Sequence, residues 1–321
     1  VTTLPAINEA VLEAALAGLT APRKTLPPWL FYDGPGSLLF EQITELPEYY
    51  LTRTERALFA AHAEAIVSAL PAPIAIAELG AGTASKTGLL LAAALRRQPT
   101  LLYQPIDISP SALAEASATL TAMAGLTVAP VAANYVTAPY AIARPAHHSI
   151  LALYIGSSIG NFSPGEANAI LCTLRAQLQP GDALLLGTDL APSGRKPVAT
   201  LLAAYDDAAG VTAAFNKNIL ARLNRELDAD FDLDAFAHRV RFHGPCSRIE
   251  MHLESLTAQT AHVAGRTIHF AAGETIHTEN SYKFTSASLD ALLTTAGFTP
   301  TRTFHDEAHT FAVTLATAVQ S

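Results

Sequence analysis

Ile74 to Lys86 reads I-A-I-A-E-L-G-A-G-T-A-S-K, an apolar run closed by Glu78 and followed by Gly80 and Gly82. Glycines at this spacing let the backbone turn sharply and approach a ligand with no Cβ in the way. A helix starting behind them, expected over Thr83 to Leu95, offers unpaired N–H groups and a partial positive charge. The dinucleotide fingerprint G-x-G-x-x-G fails at its last position, where Ser85 stands, which argues against a nicotinamide-dependent oxidoreductase. The next apolar run, Leu101 to Ile106, ends at Asp107. A carboxylate there can accept both hydroxyls of a ribose, as in nucleotide-binding α/β folds. Ser109 is the better cap for the helix that follows, which leaves Asp107 for a ligand. Asn134 and Tyr135 close a third run, Leu126 to Val131, and suit the adenine end of the same ligand.

Further candidates lie in two other stretches. Asn161 sits in the glycine-flanked loop G-S-S-I-G-N-F behind the apolar run Ile150 to Ile155, where α/β sheets bind ligands. Leu30 to Glu55 carries Tyr32, Phe40, Tyr49 and Tyr50 among two Gly and two Pro, a turn-rich setting that reads as core packing or as a substrate lid.

The elements that must position these residues follow a βα rhythm. Strands are expected at Ile74, Leu101, Leu126, Ile150 and Ala183 to Gly187, the last ending at Thr188-Asp189. Ser163-Pro-Gly-Glu166 has the form of a capping box. Arg53 and Glu55 open a helix to about Leu70. From Lys196 to about Ser281 the rhythm stops: Val198 to Glu226 reads as helical, and strand-like pieces follow at Arg239 to Phe242, Ser247 to Leu253 and Thr267 to Phe270. The first pattern then returns with a helix, Ser286 to Ala296, stopped by Gly297, and two terminal strands flanking His305-Asp306-Glu307. A terminal hairpin suits a seven-stranded methyltransferase sheet better than a sheet ending in a sixth parallel strand.

The chain has 321 residues, half of them apolar, with a net charge of −8 and no Lys/Arg-rich run, so neither a nucleic-acid surface nor an anionic-membrane patch is expected. The two cysteines, Cys172 and Cys246, support neither a disulfide framework nor a zinc site and suit a reducing cytoplasm. The histidines lack ligand spacing, so no metal is expected. No apolar run is long enough for a spanning helix, and no signal peptide is expected.

Several motifs together resemble the histidine Nα-methyltransferases of ergothioneine biosynthesis: Y-D-G-P-G-S-L-L-F-E-Q-I-T-E-L-P-E-Y-Y-L-T-R-T-E, E-L-G-A-G-T-A-S-K-T, I-G-S-S-I-G-N-F, Y-D-D-A-A-G-V-T-A-A-F-N, N-R-E-L-D-A-D-F and T-E-N-S-Y-K-F. They fall in the family's order from about Leu30 to the C-terminal hairpin. The resemblance implies an α/β, class I methyltransferase fold: a Rossmann-like seven-stranded sheet over 54–196 and 284–321. A second, α+β substrate-binding domain would comprise 1–53 and 197–283. It implies a monomer using S-adenosyl-L-methionine, released as S-adenosyl-L-homocysteine, to trimethylate L-histidine through its mono- and dimethyl forms to hercynine. Gly80, Gly82, Lys86, Asp107, Asn134 and Tyr135 would bind the donor. Asn161 and Tyr205 would hold the amino acid backbone, and Tyr32, Phe40 and Tyr49 or Tyr50, with Tyr49 favoured by spacing, would surround the reacting amine and carboxylate. Thr212, Met251, Glu279 and Ser281 would form the imidazole pocket. Tyr32, Asn161 and Tyr205 are the candidate catalytic residues. Leu51, where the family commonly has proline, and the Gly-Pro after Asp33 depart from the pattern. The alternatives are another amino acid such as tryptophan as acceptor, and a donor-binding module without catalysis.

These residue types suit the reaction. Methyl transfer is an in-line displacement by a neutral amine, and positioning alone is worth on the order of 7 to 11 kcal/mol. An amide and a phenol have the donors and acceptors to hold an ammonium–carboxylate pair. The trimethylated product is a cation without N–H groups, and aromatic faces stabilise such a cation by about 0.5 to 2 kcal/mol.

Overall fold

The computed structural model describes residues 8–319. In chain order the elements are α1 (Glu9–Leu19), α2 (Gly34–Thr44), α3 (Tyr50–Val67), β1 (Ile74–Leu79), α4 (Gly88–Leu95), β2 (Leu101–Asp107), α5 (Pro110–Leu120), β3 (Leu126–Val128), β4 (Val131–Ala132), β5 (Ser149–Tyr154), α6 (Pro164–Arg175), β6 (Ala183–Asp189), α7 (Val198–Tyr205), α8 (Val211–Leu227), β7 (Phe236–His243), β8 (Arg248–Ser255), β9 (Gln259–Val263), β10 (Arg266–Phe270), β11 (Thr275–Tyr282), α9 (Ser286–Thr295), β12 (Phe298–His305) and β13 (Phe311–Ala318). They form two compact units. One comprises the described residues through Tyr50 together with Pro197–Ser281; the other comprises Leu51–Lys196 and the described residues from Tyr282 on.

The second unit is built on one sheet of order β12-β13-β6-β5-β1-β2-β3, in which β4 also pairs with β2. β1 runs parallel to β2 and β5, and β5 parallel to β6, while β13 is antiparallel to both β6 and β12. β1 and β6 are buried along their whole length, as strands covered on both faces must be. The third strand expected over Leu126 to Val131 is interrupted at Ala129-Pro130. β3 meets Leu101 to Tyr103 and β4 meets Ile106 and Asp107, so two short pieces fill one edge position. From β1 the chain goes to β2 on one side and later returns to β5 on the other. This reversal is where such sheets open a ligand crevice at the carboxyl ends of their strands.

Two helices in this unit carry the capping signals read from the sequence. Ser163 and Glu166 form a reciprocal capping box on α6, and the Ser109 hydroxyl caps α5. The helix expected from Thr83 begins only at Gly88. Ala84 sits at φ +54°, a left-handed conformation that a right-handed helix cannot include. The Thr87 hydroxyl turns back to the Glu78 carboxylate at 2.8 and 3.0 Å. Glu78 also receives the Tyr103 hydroxyl at 2.5 Å, and burial pushes its pKa up to about 7 against these bonds.

In the other unit the stretch expected to be turn-rich around the aromatics contains the 11-residue helix α2. Asp33 caps it by accepting from the Gly36 N–H at 2.8 Å, and the Gly-Pro that departs from the family pattern forms its first turn. Gly36 is required there, since a Cβ would stand 1.7 Å from the Phe31 carbonyl oxygen. The helical stretch Val198 to Glu226 is two helices, parted at Asp206 to Gly210. Gly210 lies at φ +75°, and the Asp207 carboxylate takes the N–H groups of Val211 at 3.0 Å and Thr212 at 2.7 Å. A three-stranded sheet, β11-β8-β7, and a hairpin, β9-β10, complete the unit; β9 had no strand expectation in the sequence. Among the described residues no helix is long and apolar enough to cross a membrane.

Candidate active site

The donor-side candidates, together with Asn161 from the acceptor side, lie in the sheet unit, at the carboxyl ends of β1, β2, β4 and β5. Gly80 (φ +66°) and Gly82 (φ +54°) make the turn after β1 in conformations that L side chains rarely adopt. The Gly80 N–H donates to the Ile106 carbonyl at 2.8 Å, and the Gly82 N–H to Asp107 Oδ2 at 2.8 Å. A Cβ at Gly82 would meet nothing within 4 Å, so the turn presents open backbone. Asp107 Oδ1 accepts from the Ser109 N–H at 2.9 Å. Burial raises the Asp107 pKa and these two N–H bonds oppose the rise. A carboxylate has about four acceptor positions, so two backbone donors leave capacity for two ribose hydroxyls.

Tyr135 lies against the glycine turn: a Cβ on Gly80 would be 3.3 Å from its hydroxyl. Its ring packs edge-on to Tyr154 at 5.7 Å, the two hydroxyls are 3.4 Å apart, and burial pushes the Tyr135 pKa up to about 12. The Asn134 side chain accepts from the Val136 N–H at 3.1 Å and shapes the turn after β4. Lys86 makes an ion pair with the fully buried Glu55 of α3, a residue that sequence reasoning assigned only to a helix start. Asn161 ends a single turn, Ser158–Asn161, behind Gly156 (φ +76°) and Ser157 (φ +59°). The Ser157 hydroxyl accepts from the Asp189 N–H at 2.9 Å, which ties that turn to the end of β6.

The remaining candidates lie in the other unit, and four of them form one run of ring contacts. Tyr32 meets Phe40 at 5.7 Å, Phe40 meets Tyr49 at 6.4 Å, and Tyr49 meets Tyr205 at 6.3 Å, all edge to face. The Tyr205 hydroxyl is 2.7 Å from the Ser281 hydroxyl. Phe215 of α8 closes the cluster, at 5.8 Å from Tyr32 and 5.9 Å from Phe40. The sequence held a signal for it: Phe215 stands three residues after Thr212, on the same helix face. Met251, Glu279 and Ser281 are buried on β8 and β11. Glu279 and Ser281 are two apart on one strand and so share a face.

A buried polar chain behind Tyr205 carries no sequence signature. Thr278 donates to Asn216 Oδ1 at 2.7 Å, and Asn216 Nδ2 donates to the His252 carbonyl at 3.0 Å and to His238 Nδ1 at 2.8 Å. His238 Nε2 then donates to the Tyr205 carbonyl at 2.9 Å. Asn216 presents a donor to Nδ1, so the ring must be neutral with its proton on Nε2. Burial lowers the His238 pKa in the same sense.

Over residues 11–318 the chain matches the model of a family described as histidine-specific, S-adenosylmethionine-dependent methyltransferases. It is 43% identical over 311 residues to the histidine N-alpha-methyltransferase of Mycolicibacterium smegmatis, covering 96% of this chain and 95% of that one. It is 42% identical over 306 residues to the protein of the same name from Mycobacterium tuberculosis, covering 94% and 92%. Ergothioneine biosynthesis protein 1 of Neurospora crassa is 32% identical over 203 residues, 63% of this chain and 23% of that protein. Among solved structures, an S-adenosylmethionine-dependent methyltransferase from Clostridium acetobutylicum superposes with a TM-score of 0.50 at 10% identity, covering 88% of this chain and 98% of the other, which shows a shared fold.

Proposed function

The chain belongs to the histidine-specific, S-adenosylmethionine-dependent methyltransferases, and from that premise we propose that it trimethylates the α-amine of L-histidine. The product is hercynine, formed through the mono- and dimethyl amino acids, and the reaction is the first step of ergothioneine biosynthesis. Bound at the glycine turn, S-adenosylmethionine supplies an electrophilic methyl on a sulfonium. In each round the ammonium first gives up one proton, and the freed lone pair then forms the N–CH3 bond as the S–CH3 bond breaks toward sulfur.

The open backbone at Gly82 and the braced carboxylate of Asp107 fit the donor. In this reading Asp107 holds the ribose hydroxyls, Asn134 and Tyr135 meet the adenine, and Lys86 attends the carboxylate of the donor's amino acid end. Asn161 and Tyr205 hold the backbone of histidine, and Ser281 and Glu279 read the imidazole with Thr212 and Met251 as walls. The observation that carries the acceptor side is the unbroken ring run Tyr32, Phe40, Tyr49, Tyr205 with Ser281 bonded at its end. Such a wall suits an amine that loses its N–H groups one at a time and ends as a cation, because ring faces need no donor from it.

The two free, exposed thiols favour a reducing cytoplasm as the compartment, and a monomer is the proposed state, with no nucleic acid or membrane partner. The decisive experiment incubates the enzyme with S-adenosylmethionine and each of the twenty amino acids and reads products by mass spectrometry. Histidine alone gaining three methyl groups is the expected result. Methylation of tryptophan instead, or of nothing, refutes the assignment.

A further inference from the structure

The run that closes on Y-L-T-R-T-E ends in Glu55. Its side chain is wholly buried in the sheet unit. The Gly156 N–H donates to both of its oxygens, at 2.8 and 3.0 Å, and Lys86 Nζ donates to Oε2. A Cβ on Gly187 would stand 2.0 Å from Oε1, so β6 carries a glycine where the carboxylate lies against it. A Cβ on Gly156 would be 3.4 Å from Lys86 Nζ, so the ammonium sits over the turn that leads to Asn161. One carboxylate on α3 thus ties together the loop behind the glycine turn, the loop behind β5 and the middle of β6.

Burying a carboxylate is costly unless it is paired and hydrogen-bonded, and Glu55 is both. Replacing it by an apolar residue would remove that cost, so packing alone does not explain its presence. Its effect on Lys86 does. A lysine is a mobile point charge with three donors. Glu55 takes one donor, fixes the chain that carries the other two, and cancels the charge. Cancelling the charge matters for this ligand. S-adenosylmethionine carries a sulfonium, an ammonium and one carboxylate, a net charge of +1 by its formula, whereas S-adenosylhomocysteine is neutral overall. An unpaired lysine beside the amino acid end would repel the donor more than the spent product.

We propose that Glu55 is a positioning residue of the donor site, which orients Lys86 and neutralises it so that the cationic donor is accepted. The inference rests on the reading of Lys86 as a donor-binding residue. Glu55→Gln keeps the shape and an acceptor for Gly156 but removes the charge. Calorimetric titration with S-adenosylmethionine and with S-adenosylhomocysteine, alongside unliganded melting, tests it. Glu55→Gln should weaken the sulfonium ligand about tenfold and the thioether ligand no more than about threefold, on the scale of a partly buried charge pair. The double variant Glu55→Gln/Lys86→Met, which carries neither charge, should recover the wild-type ratio of the two affinities.

Equal weakening of both ligands by Glu55→Gln would mark a structural residue and overturn the proposal, as would unchanged affinity for both. A shift of the ratio that persists without Lys86 would overturn it too. If Lys86→Met alone weakens the donor while Glu55→Gln does nothing, the donor-site reading stands and only this inference falls. If Lys86→Met leaves donor affinity intact, the placement of Lys86 is wrong and the inference fails with it.

Discussion

At the scale of single side chains, three of the candidate site residues make sharp tests. Asp107 receives two backbone N–H groups, so its orientation does not depend on the ligand. Asp107→Ala should weaken S-adenosylmethionine about ten- to a hundredfold, since hydrogen bonds to a charged acceptor are worth roughly 1.5 to 3 kcal/mol. Unchanged donor affinity on titration would remove Asp107 from the site. Tyr205 shares its hydroxyl with Ser281 at 2.7 Å. Tyr205→Phe keeps the ring and should raise the histidine KM about tenfold with donor affinity intact. Ser281→Ala should add little to it, because contacting partners couple by roughly 0.5 to 3 kcal/mol. Full additivity of the two losses would show that the pair does not act on histidine as a unit. Glu279 is the expected reader of the imidazole N–H. Glu279→Ala should raise the histidine KM sharply, and adding Met251→Val should open the pocket enough for some activity on tryptophan. A double variant that still prefers histidine would show that the imidazole is read elsewhere.

At the scale of elements, the positions of these side chains depend on how helices end. α7 stops at Tyr205 because Asp206 leaves the helical region, and α8 starts afresh behind Gly210 with Asp207 on its first N–H groups. His238 of β7 holds the last carbonyl of α7, backed by Asn216 of α8 and Thr278 of β11. The charged groups around the ring are Asp206, whose Oδ1 is 4.0 Å from Nε2, with Asp207 and Arg239 beside it. Burial outweighs the two acids, and the His238 pKa lies below its ordinary 6.5. The folded state therefore binds this proton less readily than the unfolded chain. The stabilisation is fully present above pH 6.5 and is lost as pH falls through the lowered value. His238→Gln offers the same donor and acceptor without a titrating proton. Its stability should fall less than that of the wild type between neutral pH and pH 5, measured by denaturant unfolding. Parallel pH curves for the two proteins would show that His238 does not carry the acid sensitivity.

Across the whole molecule, candidate donor residues and most candidate acceptor residues belong to different compact units, each with its own sheet. Ligand protection should follow that division. In hydrogen exchange, S-adenosylhomocysteine alone should slow the segments around 79–88 and 106–109, and the Gly156 to Asn161 turn. Histidine added to that complex should slow the ends of α7 and β11. Binding at 100 times the Kd contributes about 2.7 kcal/mol, enough to register in exchange and in melting. Protection of α7 and β11 by the donor product alone would contradict this assignment of ligands to units.

Local chemistry accounts for what the sequence could determine. The parallel strands are mostly apolar, the caps at Ser109 and Ser163 act within three residues, and the glycine turn needs only its own backbone freedom. These features made the sheet, its terminal hairpin and the glycine turn after β1 readable in order. Where long-range contacts compete with propensity, the sequence was misleading. Thr83 to Thr87 looks helical, yet Thr87 is drawn to a buried carboxylate nine residues back. Leu30 to Glu55 looks like a loop, yet α2 forms because Asp33, Gly36 and Asn218 fit together across the unit. Partnerships between distant residues were decided by the tertiary structure alone. Tyr205 finds Ser281 across 76 positions, and Glu55 finds Gly156 across 101. No periodicity or spacing encodes such pairs, because a buried polar group takes whichever partner the packed fold brings within reach.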